Sequence, residues 1–335
     1  MNKPYRLIGS IGSPYTMKLR AVLRYRRLPH VFTFRSPAIR EQIADLRPQI
    51  IPILQLPEDG SFHVDTTPLI EMLEQRHAER SIVPPDPAQA FLAFLIEDMG
   101  DEWLTKAMFH YRWAYEADQG YAARWIVDDE RSELEGEARA EAVRAIAERQ
   151  IGRMALVGCT PQNAATIEAT YRGILTALEP HVRLRRYLFG TRPSVAEFGL
   201  FGQLRTLATD PTPLAVIRAE AQRVESWLRQ LDDASGIEGE WLDADADLPA
   251  AVIDLIRIAG AEYLPFLAAN AAALETGADE VRLTIRGREW VQAPFGYQAK
   301  CLMTLRRRFA DLDAGARARL DPLLRETGCL EVLAA

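Results

Sequence analysis

Cysteine is scarce in this chain: three residues among 335, at Cys159, Cys301 and Cys329, an odd number with no CxxC pair. That excludes a dense disulfide framework and a thiolate metal site, and it fits reduced thiols in a cytoplasm. Long apolar runs are missing too, since nothing approaches the ~20 residues that span a bilayer, and no membrane partner is expected. The opening MNKPYRLIGS lacks an apolar core with a small-residue cleavage site, so no secretion signal is expected. Nor is there a basic excess: 40 Lys and Arg stand against 47 Asp and Glu, for a net charge of −7. A phosphate-binding protein needs a basic face, so no nucleic-acid partner is expected. The arginine runs (Arg24, Arg26 and Arg27; Arg183, Arg185 and Arg186; Arg306 to Arg308) are short, lie among acidic segments and read as solvated helix faces. Internal repeats and low-complexity tracts are also lacking.

What is present is the material of a globular protein of two or more domains, 48% hydrophobic and 26% charged. The first eighty residues alternate strand and helix signals. Tyr5 to Ile8 reads as a buried strand ended by Gly9, and Pro14 to Leu28 as a helix with proline in its first turn. Val31 to Phe34 reads as a strand, Ile39 to Leu46 as a short helix, and Ile53 to Leu56 with Ser61 to Val64 as a hairpin. Thr67 to Arg80 reads as a further helix. The order β-α-β-α-β-β-α predicts a small mixed sheet with helices on its faces.

Three prolines (Pro84, Pro85, Pro87) make SIVPPDPAQ a linker. From Ala88 to Trp241 the pattern is helical, broken at Gln119-Gly120, Val157-Gly158, Pro180, Gly190 to Pro193 and Asp210 to Pro213. Asp128 to Gln150 is so charged that it reads as a surface helix or excursion. After the acidic run Asp243 to Asp247, Val252 to Leu274 reads as helix, Glu280 to Gln292 as a hairpin turning at Gly287, and Tyr297 to Leu312 and Ala316 to Leu324 as helices.

Three segments carry candidate chemistry. Ser13 lies in the loop between first strand and first helix, just before Pro14. A helix N-terminus favours an anion, and a hydroxyl donating to a thiolate there would lower the thiol's pKa; the plainer reading is that Ser13 caps the helix. Pro52 opens the apolar strand Ile53-Leu54. An ordinary trans bond is the plain reading, whereas a cis Ile51–Pro52 bond would turn the Ile51 backbone outwards, for an extended peptide to pair with as an added strand. Asp65 or Thr66 is a good cap for the helix that follows. The Thr66 hydroxyl and nearby N–H groups could instead hold a ligand carboxylate, while Asp65 holds an ammonium group.

The run from Ser13 through Pro14-Tyr15-Thr16-Met17-Lys18, the Ile51-Pro52-Ile53-Leu54 strand, the Asp65-Thr66 pair and Ser194-Val195-Ala196-Glu197 resemble, in order and spacing, the glutathione-transferase superfamily from about Pro4 to Leu231. The last is a capping box, Ser194 accepting from the helix start while Glu197 reaches back. The resemblance implies an α/β thioredoxin-like N-terminal domain over 1–82 and an all-α domain over 88–242. It leaves 248–335 as an extra, mostly helical C-terminal segment containing a β-hairpin.

The resemblance further implies a transferase that binds glutathione as co-substrate. Ser13 falls at the catalytic position, Ile51 and Pro52 where the backbone pairs with the cysteinyl part, and Asp65 and Thr66 where the γ-glutamyl end is gripped. Asp replaces the more usual Glu, and Thr the usual Ser. Arg35, Arg40 and Gln49 are candidates for the glycine carboxylate, and Tyr5, Ser10 and Tyr15 are rival hydroxyls, Tyr15 reading as core. With no cysteine in the first domain, thiol–disulfide exchange is disfavoured. The implied reaction is addition of the glutathione thiolate to a small hydrophobic electrophile in a cytoplasmic homodimer; a catalytically silent scaffold is the alternative.

The helix Phe91 to Tyr115 would line the cleft and dimer interface, with Asp98, Asp101, His110, Arg112 and Trp113 as candidate second-substrate contacts. Its acids with His110 read as a solvated helix face, so no metal is expected. Trp290, Phe295 and Tyr297 form an aromatic group near Lys300 that either packs on the helical domain, the plainer reading, or roofs the cleft.

Overall fold

The computed structural model describes residues 3–335. Four short strands form one sheet: β1 (Tyr5–Gly9), β2 (His30–Phe34), β3 (Ile53–Gln55) and β4 (Phe62–Val64), ordered β2-β1-β3-β4. Strands β1 and β2 pair in parallel, while β3 is antiparallel to both β1 and β4. Helices α1 (Pro14–Tyr25), α2 (Pro37–Gln42) and α3 (Thr66–Arg76) cover it. This is the expected thioredoxin-like order, with helices shorter than the periodicity reads. Leu28, for example, lies past the end of α1 because Arg27 adopts a positive φ of 53° and breaks the helix.

The chain then runs through α4 (Pro87–Met99), a π turn (Gly100–Leu104) and α5 (Thr105–Ala114), followed by α6 (Glu116–Glu130) and α7 (Gly136–Ile151). Next come α8 (Ala164–Leu184), α9 (Val195–Leu207), α10 (Pro211–Glu220) and α11 (Gln222–Asp232). Four prolines read as linker or breaker residues are inside helices: Pro87, Pro180, Pro211 and Pro213. Pro87 stands in the first turn of α4, where its missing N–H costs nothing and Asp86 caps Gln89 N at 3.0 Å. Pro180 sits within α8. The final segment holds α12 (Ala250–Ile258), a second π turn (Ala259–Tyr263), α13 (Leu264–Thr276), the hairpin β5 (Val281–Ile285) and β6 (Arg288–Gln292), then α14 (Gly296–Ala310), α15 (Ala314–Glu326) and α16 (Cys329–Leu333). The hairpin stands where the alternation placed it; α16 carried no separate signal.

One hydrophobic core runs through all of this, from Leu7 and Leu54 in the sheet to Phe198 in α9 and Phe309 in α14. Helix α9 is its axis: α1, α4 and the first π turn all pack on it, and a Cβ at Gly199 would lie 2.8 Å from the Glu97 backbone, so glycine is needed where α9 crosses α4. The C-terminal segment is part of that core. Trp103 of the π turn packs, with tilted rings, 4.9 Å from Trp290 of β6 and 5.0 Å from Phe266 of α13 between ring centroids.

The capping box forms at the head of α9. Ser194 Oγ accepts from Ala196 N at 3.3 Å, and Glu197 Oε2 accepts the Ser194 N–H at 2.8 Å. Both residues are fully buried, so no water replaces a lost partner. Ser194→Ala is therefore expected to lower the unfolding free energy by about 1–2 kcal/mol in urea titration.

Candidate active site

Strand register brings the candidate residues together. Gly9 pairs with Phe34, Ile8 with Ile53, and Ile53 with Val64. The end of β1, the end of β2, the start of β3 and the end of β4 are therefore at one end of the sheet. From that end emerge the loop to Ser13, the residue Arg35, the Ile51–Pro52 bond and the Asp65-Thr66 pair.

Ser13 is half-buried at the N-cap of α1, its Oγ accepting from Thr16 N at 3.3 Å. Capping uses a lone pair of the hydroxyl and leaves its proton; among the described residues that proton has no acceptor. The two readings of Ser13 are therefore compatible. The rival hydroxyls differ. Ser10 is 2% exposed and accepts from Gly12 N at 3.2 Å, Tyr5 Oη bonds His77 at 2.9 Å, and Tyr15 Oη donates to the Asp101 carbonyl at 3.0 Å.

The Ile51–Pro52 bond is cis, not the trans bond of the plain reading. The two isomers of an X–Pro bond lie so close in energy that tertiary context selects between them, which composition cannot reveal. Among the described residues, the Ile51 N–H and C=O have no backbone partner. Beside them a cleft of about 160 Å³ is lined by Ile51, Arg35, Arg40 and Gln49 among others. The three glycine-carboxylate candidates thus share one cleft, although Arg35 is ion-paired to Glu130 at 2.9 Å.

At the other side, Asp65 has a positive φ of 75° and its carboxylate caps nothing in its own helix. Non-glycine residues held in that region cluster at ligand clamps. Thr66 is 3% exposed and its hydroxyl donates to Asp101 Oδ2 at 3.5 Å.

Beneath lies a buried charge cluster. Lys18 of α1 has no exposed surface, and its ammonium bridges Glu97 of α4 and Asp101 of the π turn, the latter at 2.5 Å. Burial pulls the Lys18 pKa down, but Asp101 and Glu97 outweigh it, and the group titrates above the usual lysine range. Among the described residues, two further acids have no ion-pairing cation. Burial, with Glu97 adding, pushes Asp98 up to about 7 even though Tyr263 Oη donates to it at 2.6 Å; burial, with Asp98 and Asp101 adding, pushes Glu102 up to about 8. A helix of this composition ordinarily turns its acids to water. Here they are inward because α4 is wrapped on both sides, and among the described residues no group of three or more His, Cys, Asp or Glu is placed to hold a metal.

Of the second-substrate candidates, Asp101 is thus paired with Lys18. Arg112 pairs with Asp210 at 2.7 Å and donates to the Gly12 carbonyl at 2.9 Å, next to Ser13. His110 bonds Glu168 at 3.0 Å, and Trp113 is 1% exposed in a small core with Ala122 and Ala123, so neither presents a surface to a ligand. The residues actually over the Ser13 loop come from α6. A Cβ at Gly12 would stand 3.1 Å from Trp125 and 3.2 Å from Ile126, and Asp129 accepts the Ile11 N–H at 3.2 Å. Sequence reading did not single them out: Trp125 and Ile126 fall in the long helical stretch and Asp129 in the charged run from Asp128, and neither pattern says what it faces.

Residues 7–81 match the family of the glutathione S-transferase N-terminal domain. The match spans the sheet domain, with its small mixed sheet, and no other part of the chain. A largely helical region follows that domain. Among solved structures, the chain is similar to the beta-etherase LigF of Sphingobium sp. strain SYK-6, with 20% identity over 69% of this chain and 95% of the other and a TM-score of 0.48. It is also similar to glutathione S-transferases from Methylobacterium radiotolerans, in complex with glutathione sulfonate (18% identity, 73% of this chain, 100% of the other, TM-score 0.42), and from Methylobacillus flagellatus, with glutathione bound (19%, 69%, 96%, 0.41). No curated protein matches the sequence. No described helix is long and apolar enough to cross a membrane.

Two outcomes follow from the buried cluster. Lys18→Met leaves two buried carboxylates unpaired and is expected to cost about 3–5 kcal/mol in denaturant unfolding, with most of it regained when Glu97→Gln and Asp101→Asn are added. The raised pKa of Glu102 means that the folded state binds more protons than the unfolded chain, so its contribution is intact at acid pH and lost as pH rises through about 8. Glu102→Gln, which mimics the neutral acid, should match the wild type near pH 4 and exceed it by a margin that grows between about pH 4.5 and 8 and reaches several kcal/mol at pH 8.5.

Proposed function

We propose that the cleft at this end of the sheet binds glutathione and that Ser13 activates its thiol for addition to a small hydrophobic electrophile. The observation that carries the reading is the convergence of Ser13, the unpaired Ile51 backbone and the Asp65-Thr66 pair at one sheet end. The cysteinyl part would add a strand against Ile51, the γ-glutamyl ammonium would meet Asp65, and the glycine carboxylate would face Arg35, Arg40 or Gln49. The thiolate would then sit at the head of α1, where the helix dipole and the free Ser13 proton favour the anion. Trp125 and Ile126 offer the apolar wall for the electrophile, with Arg112 holding the Gly12 carbonyl beneath. The thiol proton leaves to solvent; attack of the thiolate forms the S–C bond and breaks the π bond of an activated double bond in the electrophile, whose electron pair moves onto the adjacent atom and takes up a proton from solvent. Such chemistry needs glutathione kept as the thiol, as in a cytoplasm.

A second reading, a binding scaffold without turnover, draws on the cleft's size. At about 160 Å³ it is smaller than most ligand pockets, which begin near ~300 Å³. For the expected homodimer, α4 also packs against α12, α14 and α15, which any interface on that helix would have to accommodate.

Glutathione should raise the melting temperature of the wild-type protein in a concentration-dependent titration, and no shift would favour the scaffold. Ser13→Ala should keep glutathione affinity within about threefold while lowering turnover with a model electrophile by at least about tenfold, the effect of a one-unit rise in thiol pKa. Unchanged turnover with binding intact would move the role to another group.

A further inference from the structure

The C-terminal segment reaches the site through one side chain. Tyr297, in the first turn of α14, donates its hydroxyl proton to Asp65 Oδ2 at 3.1 Å, across 232 residues of sequence. Burial, with the Asp65 charge adding, holds the Tyr297 phenol above its usual range, so the group stays a donor. Its placement is fixed on two sides. Asn270, with no exposed surface, clamps Phe295 by accepting its N–H at 2.8 Å and donating to its carbonyl at 3.0 Å. Gln298, 4% exposed, donates to the Glu102 carbonyl at 3.1 Å, on the same π turn that carries Asp101. Tyr297 is therefore held between two buried anchors and aimed at a carboxylate that caps no helix. One oxygen of Asp65 is taken by the phenol, which leaves the other to accept from a ligand.

Resting on the glutathione reading above, we infer that the C-terminal segment is a working part of the ligand site: Tyr297 is a positioning residue that orients the Asp65 carboxylate and thereby makes the site select thiols bearing a free α-ammonium group. A carboxylate on a half-buried loop has several rotamers. A hydrogen bond from a fixed phenol leaves one, so the ammonium meets an acceptor already in place, and less freedom is lost on binding. A ligand without the ammonium has nothing to gain from that orientation. The hydroxyl of Tyr297 therefore acts on one end of the ligand and not on the thiol end.

The test is isothermal titration of the full-length protein with glutathione and with glutaryl-cysteinylglycine, which is glutathione without its amino group. Wild type, Tyr297→Phe, Asp65→Asn and the double variant are compared. Tyr297 is 41% exposed and Phe keeps its ring, so the variant is expected to fold, with melting temperatures as the control. Tyr297→Phe should weaken glutathione by roughly five- to tenfold, the net size of an ordinary hydrogen bond, and leave the glutaryl analogue within about twofold. In the Asp65→Asn background it should change neither ligand. If the wild type binds glutathione and Tyr297→Phe weakens both ligands equally, or neither, the inference fails and the glutathione reading stands. If the effects of the two substitutions multiply independently, Tyr297 does not act through Asp65 and the inference fails. Absence of glutathione binding by the wild type overturns both.

Discussion

The ammonium of Lys18, sealed between Glu97 and Asp101, is the interaction on which the remaining architecture depends. A buried charge is tolerated only when it is paired and hydrogen-bonded, so its partners must arrive in fixed places. Lys18 belongs to α1 of the sheet domain, and its two acids belong to α4 and the π turn. The pair therefore sets how the helical region sits on the sheet domain. Thr66 and Thr67, at the start of α3, donate to the same two carboxylates. One cation thus ties together the helix that Ser13 caps, the helix that begins at the Asp65-Thr66 pair, and the helix beneath both. Burial, with the surplus of carboxylates over cations in this cluster adding to it, is what raises Asp98 and Glu102.

A second lysine is handled by the opposite strategy. Among the described residues, no acid lies within ion-pairing distance of Lys106, which is 2% exposed. Its ammonium lies 4.7 Å from the Phe266 ring, 5.4 Å from Trp103 and 5.6 Å from Trp290, with hydrogen bonds to the Val157 carbonyl and Gln292. Burial lowers its pKa to about 8. Cation–π contact and two acceptors replace a counter-ion there. Two of the three rings come from the C-terminal segment, so that segment completes the environment of a residue in α5. With the Tyr297 contact to Asp65, it is bound into the molecule both at the core and at the cleft.

The aromatic group near Lys300 shows how one short stretch divides its duties. Trp290 is fully buried and packs, as the plainer reading expects, while Tyr297 leaves the core and reaches the cleft. Ser13 shows a similar division within one hydroxyl, which caps a helix with a lone pair and keeps its proton. Asking whether such a residue is structural or functional sets apart roles that oxygen's two lone pairs and one proton can fill at the same time.

Much of the fold was legible because its signals are local. Hydrophobic periodicity, proline in first turns, the hairpin turn at Gly287 and the Ser194–Glu197 box each depend on residues within a few positions of one another. They placed the β-α-β-α-β-β-α order, the helical region and the second hairpin. The identity of Ser13, Ile51, Asp65 and Thr66 as candidates was likewise local, a matter of motif and spacing. What tertiary structure alone decided is every relation across long separations: that the acids of α4 face inward onto Lys18, that Trp113 and His110 are spent on packing and on Glu168, that Trp125 stands over Gly12, and that Tyr297 meets Asp65. A charge pattern on one helix records which residues share a face, but whether that face meets water or a buried ammonium depends on a partner 79 residues away. The peptide isomer at Pro52 falls in the same class, since the local energies of the two forms are too close to choose and the surrounding fold makes the choice.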